Sequence, residues 1–160
     1  TEPGFEDLDA YILSPSSDGF VWYDEPNQIK IVELTRLIKE YLHVNTNKVA
    51  ITGYSDGGIG AWFHAQYNPS DFSAAIPMAA QYNPRSPSLG SSKINIPIYA
   101  IHGEEDEVFP LTITQQYINE TEAAGTNVTF VIAPTLTHNN SCDYVSYLKD
   151  AATWLDTVVW

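Results

Sequence analysis

The stretch that decides the fold is KVAITGYSDGGIGAWFHAQY, residues 48–67. Lys48–Gly53 is a short run rich in β-branched and small residues, which predicts a buried strand. Ile59–Tyr67 predicts a helix, and Asn68-Pro69 ends it because proline disfavours helical backbone in the residue before it. Between the two elements, the pentapeptide Gly53-Tyr54-Ser55-Asp56-Gly57 fits the pattern G-x-S-x-G.

This pattern makes a specific physical demand on the backbone. Ser55 must lie on a sharp turn from strand to helix, in strained geometry, with its hydroxyl exposed. Glycine is expected at Gly53 and at Gly57 because strand and helix approach each other too closely for a Cβ. The following helix points its N-terminal N–H groups at the serine, where they can stabilise an oxyanion. The alternative interpretation is a tight glycine-rich turn with an incidental serine.

Before and after this stretch, segments with strand-like apolar patterns alternate along the chain with segments that have helix-like patterns. Five strands are predicted, at Leu8–Ser14, Lys48–Gly53, Phe72–Ala79, Ile96–His102 and Val128–Ala133. Four helices are predicted, starting at Asp24-Glu25-Pro26, covering Ile59–Tyr67, running from Pro110 to Gly125, and running from about Cys142 to Val158. Such alternation is typical of parallel sheets. The predicted fold class is therefore α/β, a mostly parallel sheet of about five strands flanked by helices, in one domain over residues 1–160.

The composition excludes several classes of function. A chain of 160 residues that is 44% hydrophobic can bury the core of one domain. Seven Lys and Arg against twenty Asp and Glu give a formal net charge of −13. Because this charge repels phosphate backbones, no nucleic-acid partner is expected. No apolar run has the length of a membrane span. The single cysteine, Cys142, excludes an intrachain disulfide framework and a thiolate zinc site.

A serine nucleophile needs a base, and the base needs an acid to orient it. His138 is the preferred base because it follows the last strand in a polar loop and comes after both the serine and an acidic loop. The other histidines, His43, His64 and His102, are expected to be surface or packing residues. The acid is expected within residues 104–107, Glu-Glu-Asp-Glu, of which three are interpreted as solvated charges. A metal site in this acidic loop is the alternative, but His102 is the one histidine near the loop in the sequence that could serve as a ligand.

Two segments of this chain resemble a known family. They are residues 43–79 (HVNTNKVAITGYSDGGIGAWFHAQYNPSDFSAAIPMA) and 96–110 (IPIYAIHGEEDEVFP). They resemble the carboxylesterase/phospholipase and predicted-peptidase families of the α/β-hydrolases. The resemblance implies a nucleophile elbow at Ser55, with Asp106 as the triad acid and His138 as the triad histidine. It also implies that the N–H of Asp56 binds the oxyanion, and it implies no metal and no cofactor.

This chain departs from the family in one large respect. Such enzymes usually carry three further strands before the point that matches residue 1, and the third of them lies mid-sheet, between the strands matching Leu8–Ser14 and Lys48–Gly53. The loop of that strand normally donates a first oxyanion N–H in an HG-type segment, which is absent here. We therefore expect a shortened α/β-hydrolase fold, and we expect the chain, which begins at Thr1 without a leader, to be a processed, excised or trimmed form.

The missing strand has two alternative consequences. Either Leu8–Ser14 moves in beside Lys48–Gly53, which places residues 15–18 near Ser55 as a substitute oxyanion donor, or a groove stays open for another chain. The helix of the missing region is absent as well, which bares one face of the sheet. The bared face predicts self-association as a homo-oligomer. Loss of one oxyanion donor lowers the rate by about 10²- to 10³-fold, so a weak enzyme is expected.

Trp22-Tyr23-Asp24 follows the first predicted strand. Relatives often place an aromatic-aromatic-Asp segment there, near the substrate cleft. The resemblance therefore marks Trp22 and Tyr23 as candidate substrate-binding residues, and plain packing is the alternative.

The residues and the resemblance together predict a serine hydrolase that cleaves small-molecule carboxylic esters by acyl transfer. Three alternatives stay open. A peptidase is one, although nothing here resembles a gating domain. A dienelactone-type hydrolase is another, but such enzymes usually have cysteine at the position of Ser55. The third is a non-catalytic or weakly active remnant that acts as a binding piece because its oxyanion hole is incomplete.

Overall fold

The fold is built on one parallel sheet of four strands, in a computed structural model that describes residues 2–19, 21–84 and 93–160. The strands are β1 (Ala50–Tyr54), β2 (Ala74–Met78), β3 (Ile98–Gly103) and β4 (Val128–Ala133), and they neighbour one another in that order. The α-helices are α1 (Glu25–Tyr41), α2 (Asp56–Tyr67), α3 (Leu111–Ala123) and α4 (Val145–Trp154). The predicted α/β class with a mostly parallel sheet is confirmed.

Several element boundaries follow from local sequence signals. The last strand, Val128–Ala133, has the predicted bounds. Pro110 is the N-cap of α3, and Gly125 follows the helix with a φ of +96°, the left-handed backbone that glycine adopts without strain. The predicted final helix is divided into a 3₁₀ turn (Ser141–Tyr144), α4, and a π-helical turn (Leu155–Val159).

The core lies on both faces of the sheet, because β2 and β3 are buried along their whole length. Alternate residues point to opposite faces of a strand, and the apolar side chains divide accordingly. α4 covers the face that carries Ala74, Ile76, Met78, Tyr99 and Ile101. α2 and α3 cover the face that carries Ala75, Ile98 and Ala100. Burial on both faces explains why these strands read as continuous apolar runs.

The predicted strand Leu8–Ser14 is wrong, which is why the sheet has four strands instead of about five. The residues form no element and pair with no described strand. Its apolar side chains are largely in solvent, with Tyr11 65%, Ile12 44% and Leu13 49% exposed. An apolar run forms a strand only where a neighbouring edge accepts its backbone hydrogen bonds, and this segment does not lie beside β1.

A cavity of about 1180 Å³, hereafter the β1-edge cavity, separates that segment from the sheet. Residues 8–15 line one side of it, the apolar side chains Ile31, Leu34 and Ile38 of α1 line another, and the whole of β1 lines its base. Of the two expected arrangements, the structure therefore has the open groove. The alternative of a substitute oxyanion donor in residues 15–18 has no support, because the Asp18 N–H donates to Asn27 and the Ser16 carbonyl accepts from Lys30, both on α1. Self-association through an exposed sheet face stays a prediction.

None of the helices among the described residues combines the length and apolarity that crossing a bilayer requires.

Candidate active site

Ser55 lies on the turn between β1 and α2, as the pattern predicts. Its backbone has a φ of +55° and a ψ of −119°, a strained conformation for a residue with a Cβ. Two hydrogen bonds hold the turn. The Ser55 N–H donates to the carbonyl of Met78 at 2.9 Å, and the Ser55 carbonyl accepts the N–H of Ile59 at 3.0 Å. The serine is thus fixed at the carboxyl end of β1 and at the N-terminus of α2.

The glycines on either side of Ser55 have different roles. A Cβ on Gly53 would lie 2.1 Å from the carbonyl oxygen of Gly57, so that the strand and the helix meet backbone to backbone. The expectation of a glycine at Gly53 is confirmed. At Gly57 it is wrong, because a Cβ there would meet only the Trp22 indole, at 3.8 Å. The close approach at the start of α2 continues instead at Gly58, where a Cβ would lie 2.6 Å from the Cβ of Ala80.

We expect Gly53→Ala to lower the free energy of unfolding by about 3 kcal/mol or more, because the new methyl group overlaps backbone that cannot move without opening the turn. Gly57→Ala is the matched control. It places the same methyl group inside a helix, in ordinary van der Waals contact with the Trp22 indole, and is expected to be neutral or stabilising by up to about 1 kcal/mol. Urea unfolding of both variants measures the difference, and equal stability of the two variants is incompatible with this account of the turn.

Three predicted side chains are joined in one chain of hydrogen bonds. The Oγ of Ser55 lies 2.9 Å from Nε2 of His138, and Nδ1 of the same ring lies 2.9 Å from Oδ2 of Asp106. The Asp106 carboxylate is completely buried, and the His138 side chain is 12% exposed. The rings of Tyr54 and Phe109 flank the imidazole, with centroids at 5.8 and 5.3 Å. The imidazole therefore has one polar group at each nitrogen and apolar surfaces beside it.

Asp106 is held by its own loop. Its second oxygen, Oδ1, accepts the backbone N–H groups of Val108 and Phe109 at 2.9 and 2.8 Å. Oδ2 is then left for His138, and an ionised carboxylate can only accept. The proton of a neutral His138 ring is thereby placed on Nδ1, and Nε2 is left as the acceptor that faces the hydroxyl of Ser55. This tautomer is the one that a general base requires.

His102 is buried beneath this arrangement. Its Nε2 lies 2.8 Å from the carbonyl of Phe109 and 3.8 Å from Oδ2 of Asp106. Burial is the largest influence on this ring and lowers the pKa of His102, against a smaller raising effect of Phe109 and Asp106. A neutral His102 donates its Nε2 proton to Phe109, and so it supports the Asp106 loop from below.

Two residues that the sequence analysis did not single out hold the backbone of His138. The Tyr54 hydroxyl donates to the His138 carbonyl, and the carboxylate of Glu107 accepts the His138 N–H at 3.0 Å. Burial, with smaller contributions from Asp106 and Glu107, raises the pKa of Tyr54, which keeps its hydroxyl protonated as a donor. The sequence predicts a solvated charge at Glu107. Its side chain is exposed, yet it contacts the histidine loop.

Asp56 begins α2 directly after Ser55, so its backbone N–H belongs to the first turn, where helix geometry leaves N–H groups without an intrahelical partner. Its side chain accepts the backbone N–H of Trp22 at 3.2 Å. Burial raises the pKa of Asp56, and the Trp22 N–H opposes that shift. Helix α2 thus begins at the residue directly after Ser55, and the role of the Asp56 N–H as an oxyanion donor stays a prediction.

Trp22 and Tyr23, the two candidate substrate-binding residues, lie in different surroundings in the structure. Trp22 packs onto α2, since a Cβ on Gly60 would lie 2.5 Å from its Cβ, and it also lines the β1-edge cavity. Tyr23 is 41% exposed and lies 6.5 Å, ring to ring, from Phe63 further along α2. Within the described part of the chain, no hydrogen bond or ring contact joins Tyr23 to Ser55 or His138. Only Trp22 is brought near the serine turn.

Comparison with protein families gives one match over most of the chain. The sequence model described as "Dienelactone hydrolase family" matches residues 23–160. A curated relative from Methylorubrum extorquens, assigned as a carboxymethylenebutenolidase, is 24% identical over 106 residues. The alignment covers 62% of this chain and 36% of the relative, so the match spans about a third of that protein.

Solved structures show the same fold. MGS-M1, an α/β hydrolase enzyme from a Medee basin deep-sea metagenome library, matches 84% of this chain and 65% of its own, with a TM-score of 0.68 and 20% identity. SOBER1 from Arabidopsis thaliana matches 84% of this chain and 67% of its own, with a TM-score of 0.64 and 20% identity. A thermostable esterase matches 82% and 36%, with a TM-score of 0.66 and 22% identity. The fold is therefore a shortened α/β-hydrolase fold.

Proposed function

Because this chain belongs to the dienelactone hydrolase family, we propose that it is a serine hydrolase that cleaves small carboxylic esters by acyl transfer. The observation that carries the proposal is the continuous hydrogen-bonded chain from Ser55 through His138 to Asp106, with 2.9 Å at each step. Dienelactone-type hydrolases usually have cysteine at the position that Ser55 occupies in this chain. A serine hydroxyl ionises far less readily than a thiol, so it depends on an adjacent base, which His138 provides.

In the proposed acylation step, Oγ of Ser55 attacks the ester carbonyl carbon while Nε2 of His138 accepts the hydroxyl proton. The carbonyl oxygen becomes an oxyanion, and the N–H of Asp56 at the start of α2 donates to it. Asp106 stabilises the imidazolium that forms. The tetrahedral intermediate then collapses, the alkoxide leaves with the proton from His138, and the acyl group stays on Ser55.

Deacylation repeats these steps with water as the nucleophile. His138 takes a proton from the water, the hydroxide attacks the acyl carbon, and Ser55 leaves with the proton returned by His138. The reaction releases a carboxylic acid, and the enzyme returns to its starting state. We assign Trp22 a supporting role as an apolar wall, because it packs on α2 and hydrogen-bonds to Asp56.

The family name supports esters as the bond class, since a lactone is a cyclic ester. The hydrogen-bonded chain of the site suits any ester whose carbonyl reaches Ser55. Asp56 is the one oxyanion donor that we assign, and a second donor contributes about 10²- to 10³-fold in typical enzymes. We therefore expect turnover to be slow for an enzyme of this class.

A second candidate is a non-catalytic or weakly active binding module. It is favoured by the β1-edge cavity beside the serine turn, since no strand among the described residues pairs with the outer edge of β1. The two candidates differ in one respect that can be measured. A hydrolase turns over substrate, whereas a binding module with a competent serine reacts once with an acylating agent and stops.

Hydrolysis of p-nitrophenyl acetate, butyrate and octanoate, together with a small lactone, tests the proposal directly. We expect release of more product than enzyme, at a rate proportional to enzyme concentration. The Ser70→Ala variant, which changes an exposed serine in the turn after α2, is expected to match the wild type. Product that stops at one equivalent per chain favours the binding module, and folded protein with no product at all contradicts the proposed hydrolase.

A further inference from the structure

We propose that Glu107 is a positioning residue for His138, and that Glu107 fixes the backbone of the histidine while its neighbour Asp106 orients the ring. The inference rests on the proposed function, because it concerns the same histidine. The two consecutive acidic residues then bind different groups of the same histidine. Asp106 accepts from the His138 ring, and Glu107 accepts from its backbone N–H.

Glu107 uses its two oxygens separately. Oε2 accepts the backbone N–H of His138, and Oε1 accepts the side-chain amide of Asn139, each at 3.0 Å. A single carboxylate therefore spans two consecutive residues of the loop after β4. Because Glu107 binds His138 and Asn139 together, it restrains both the position and the orientation of the loop backbone at His138.

The opposite side of His138 is held by Tyr54, whose hydroxyl donates to the His138 carbonyl. Both backbone polar groups of the histidine are therefore bonded to residues beside the site, and Tyr54 itself precedes Ser55. The other hydrogen bonds of the loop are either internal, such as those from Thr137 to the Asn140 side chain, or involve Leu136, whose carbonyl accepts the Glu105 N–H. Without Glu107, one of the two restraints that tie the His138 backbone to the site is lost.

This restraint matters because His138 belongs to no helix or strand. It follows Thr135, a non-glycine residue with a φ of +63°, in a tight turn that leaves the sheet. A shift of the backbone by a fraction of an ångström moves the ring relative to both Ser55 and Asp106, and so it disturbs both 2.9 Å contacts. Misplacement of a catalytic group by about 1 Å can lower a rate about 10²-fold.

Glu104 and Glu105 provide the comparison within the same loop. They are also exposed, and they carry the same charge. Their backbone N–H groups bond to Ala133 and Leu136, and among the described residues neither side chain contacts His138. The bond from the His138 N–H lowers the pKa of Glu107 below its ordinary range. The restraint therefore persists at pH values at which a free glutamate begins to protonate.

The test compares Glu107→Ala with Glu105→Ala, which removes the same charge from the same loop. Glu107→Ala is expected to lower kcat on p-nitrophenyl acetate by about 10- to 100-fold with KM unchanged. Glu107→Gln is expected to recover part of the loss, since its amide oxygen can still accept the His138 N–H. Glu105→Ala is expected to stay within about twofold of the wild type.

Proton NMR of the wild type and the two alanine variants gives a readout that needs no turnover. The Nδ1 proton of His138, bonded to Asp106, is expected at low field in the wild type and in Glu105→Ala, and broadened or lost in Glu107→Ala. Equal kinetics and equal spectra for the two alanine variants overturn the inference, even where the wild type hydrolyses esters. If the wild type has no activity, the proposed function fails, and the spectra alone still decide whether Glu107 positions His138.

Discussion

Replacing Ser55 by alanine is expected to lower kcat for ester hydrolysis by roughly 10⁴- to 10⁶-fold. The hydroxyl is the atom that forms and breaks the covalent bond in the proposed reaction, so its removal leaves His138 with nothing to deprotonate except water. Residual catalysis then comes only from binding and from the Asp56 N–H. The loss is the largest that we expect from any single change in this chain.

The fold should survive this substitution. Alanine has the same Cβ as serine, so the strain of a φ of +55° is similar, and the turn is held by backbone bonds to Met78 and Ile59. Hydrolysis of p-nitrophenyl acetate, with thermal unfolding as the check on folding, measures the effect. Ser70→Ala is the matched control for loss of one hydroxyl. A Ser55→Ala protein that is folded and retains more than a tenth of the wild-type rate excludes Ser55 as the nucleophile.

The second large effect is expected for Asp106→Asn, with a loss in kcat of roughly 10⁴-fold at neutral pH. The amide oxygen can replace Oδ1 and accept the N–H groups of Val108 and Phe109, which keeps the loop intact. The amide nitrogen then faces His138 and can only donate. Nδ1 must become the acceptor, and the ring proton moves to Nε2, where it blocks acceptance of the Ser55 proton.

Glu104→Gln controls for the loss of one negative charge in the same loop. Its side chain is exposed, and among the residues that the structure describes it forms no hydrogen bond or ion pair with His138. It is expected to leave kcat within about twofold of the wild type, because an exposed charge is screened by solvent. Similar losses in Asp106→Asn and Glu104→Gln contradict the role of Asp106, since they would trace the effect to net charge instead of to the tautomer of His138.

The elements that the sequence predicts well are those whose signals are local. The apolar run Val128–Ala133 and the helix stop at Gly125 depend on neighbouring residues along the chain, and both match the structure. Leu8–Ser14 shows where local signals fail. Its apolar run is as strand-like as the others. A strand forms only beside a partner strand that accepts its backbone hydrogen bonds, and the β1-edge cavity separates this segment from the edge of β1.

The same distinction holds at the candidate site. Ser55 is marked by a pattern of five residues, and chain order and resemblance single out His138 and Asp106. Tyr54 and Glu107 carry no such mark, because their bonds to His138 span 84 and 31 residues of sequence. Only the folded chain shows that a residue interpreted as a solvated charge contacts the histidine loop.

Mass spectrometry after brief exposure to a fluorophosphonate tests the central claim most directly, because the reagent reacts with activated serines and does not require the natural substrate. The predicted result is one adduct per chain, on the peptide that contains Ser55, present in Ser70→Ala and absent in Ser55→Ala. Adducts at other residues, or no adduct on folded wild-type protein, contradict the claim that Ser55, His138 and Asp106 form a working nucleophilic site.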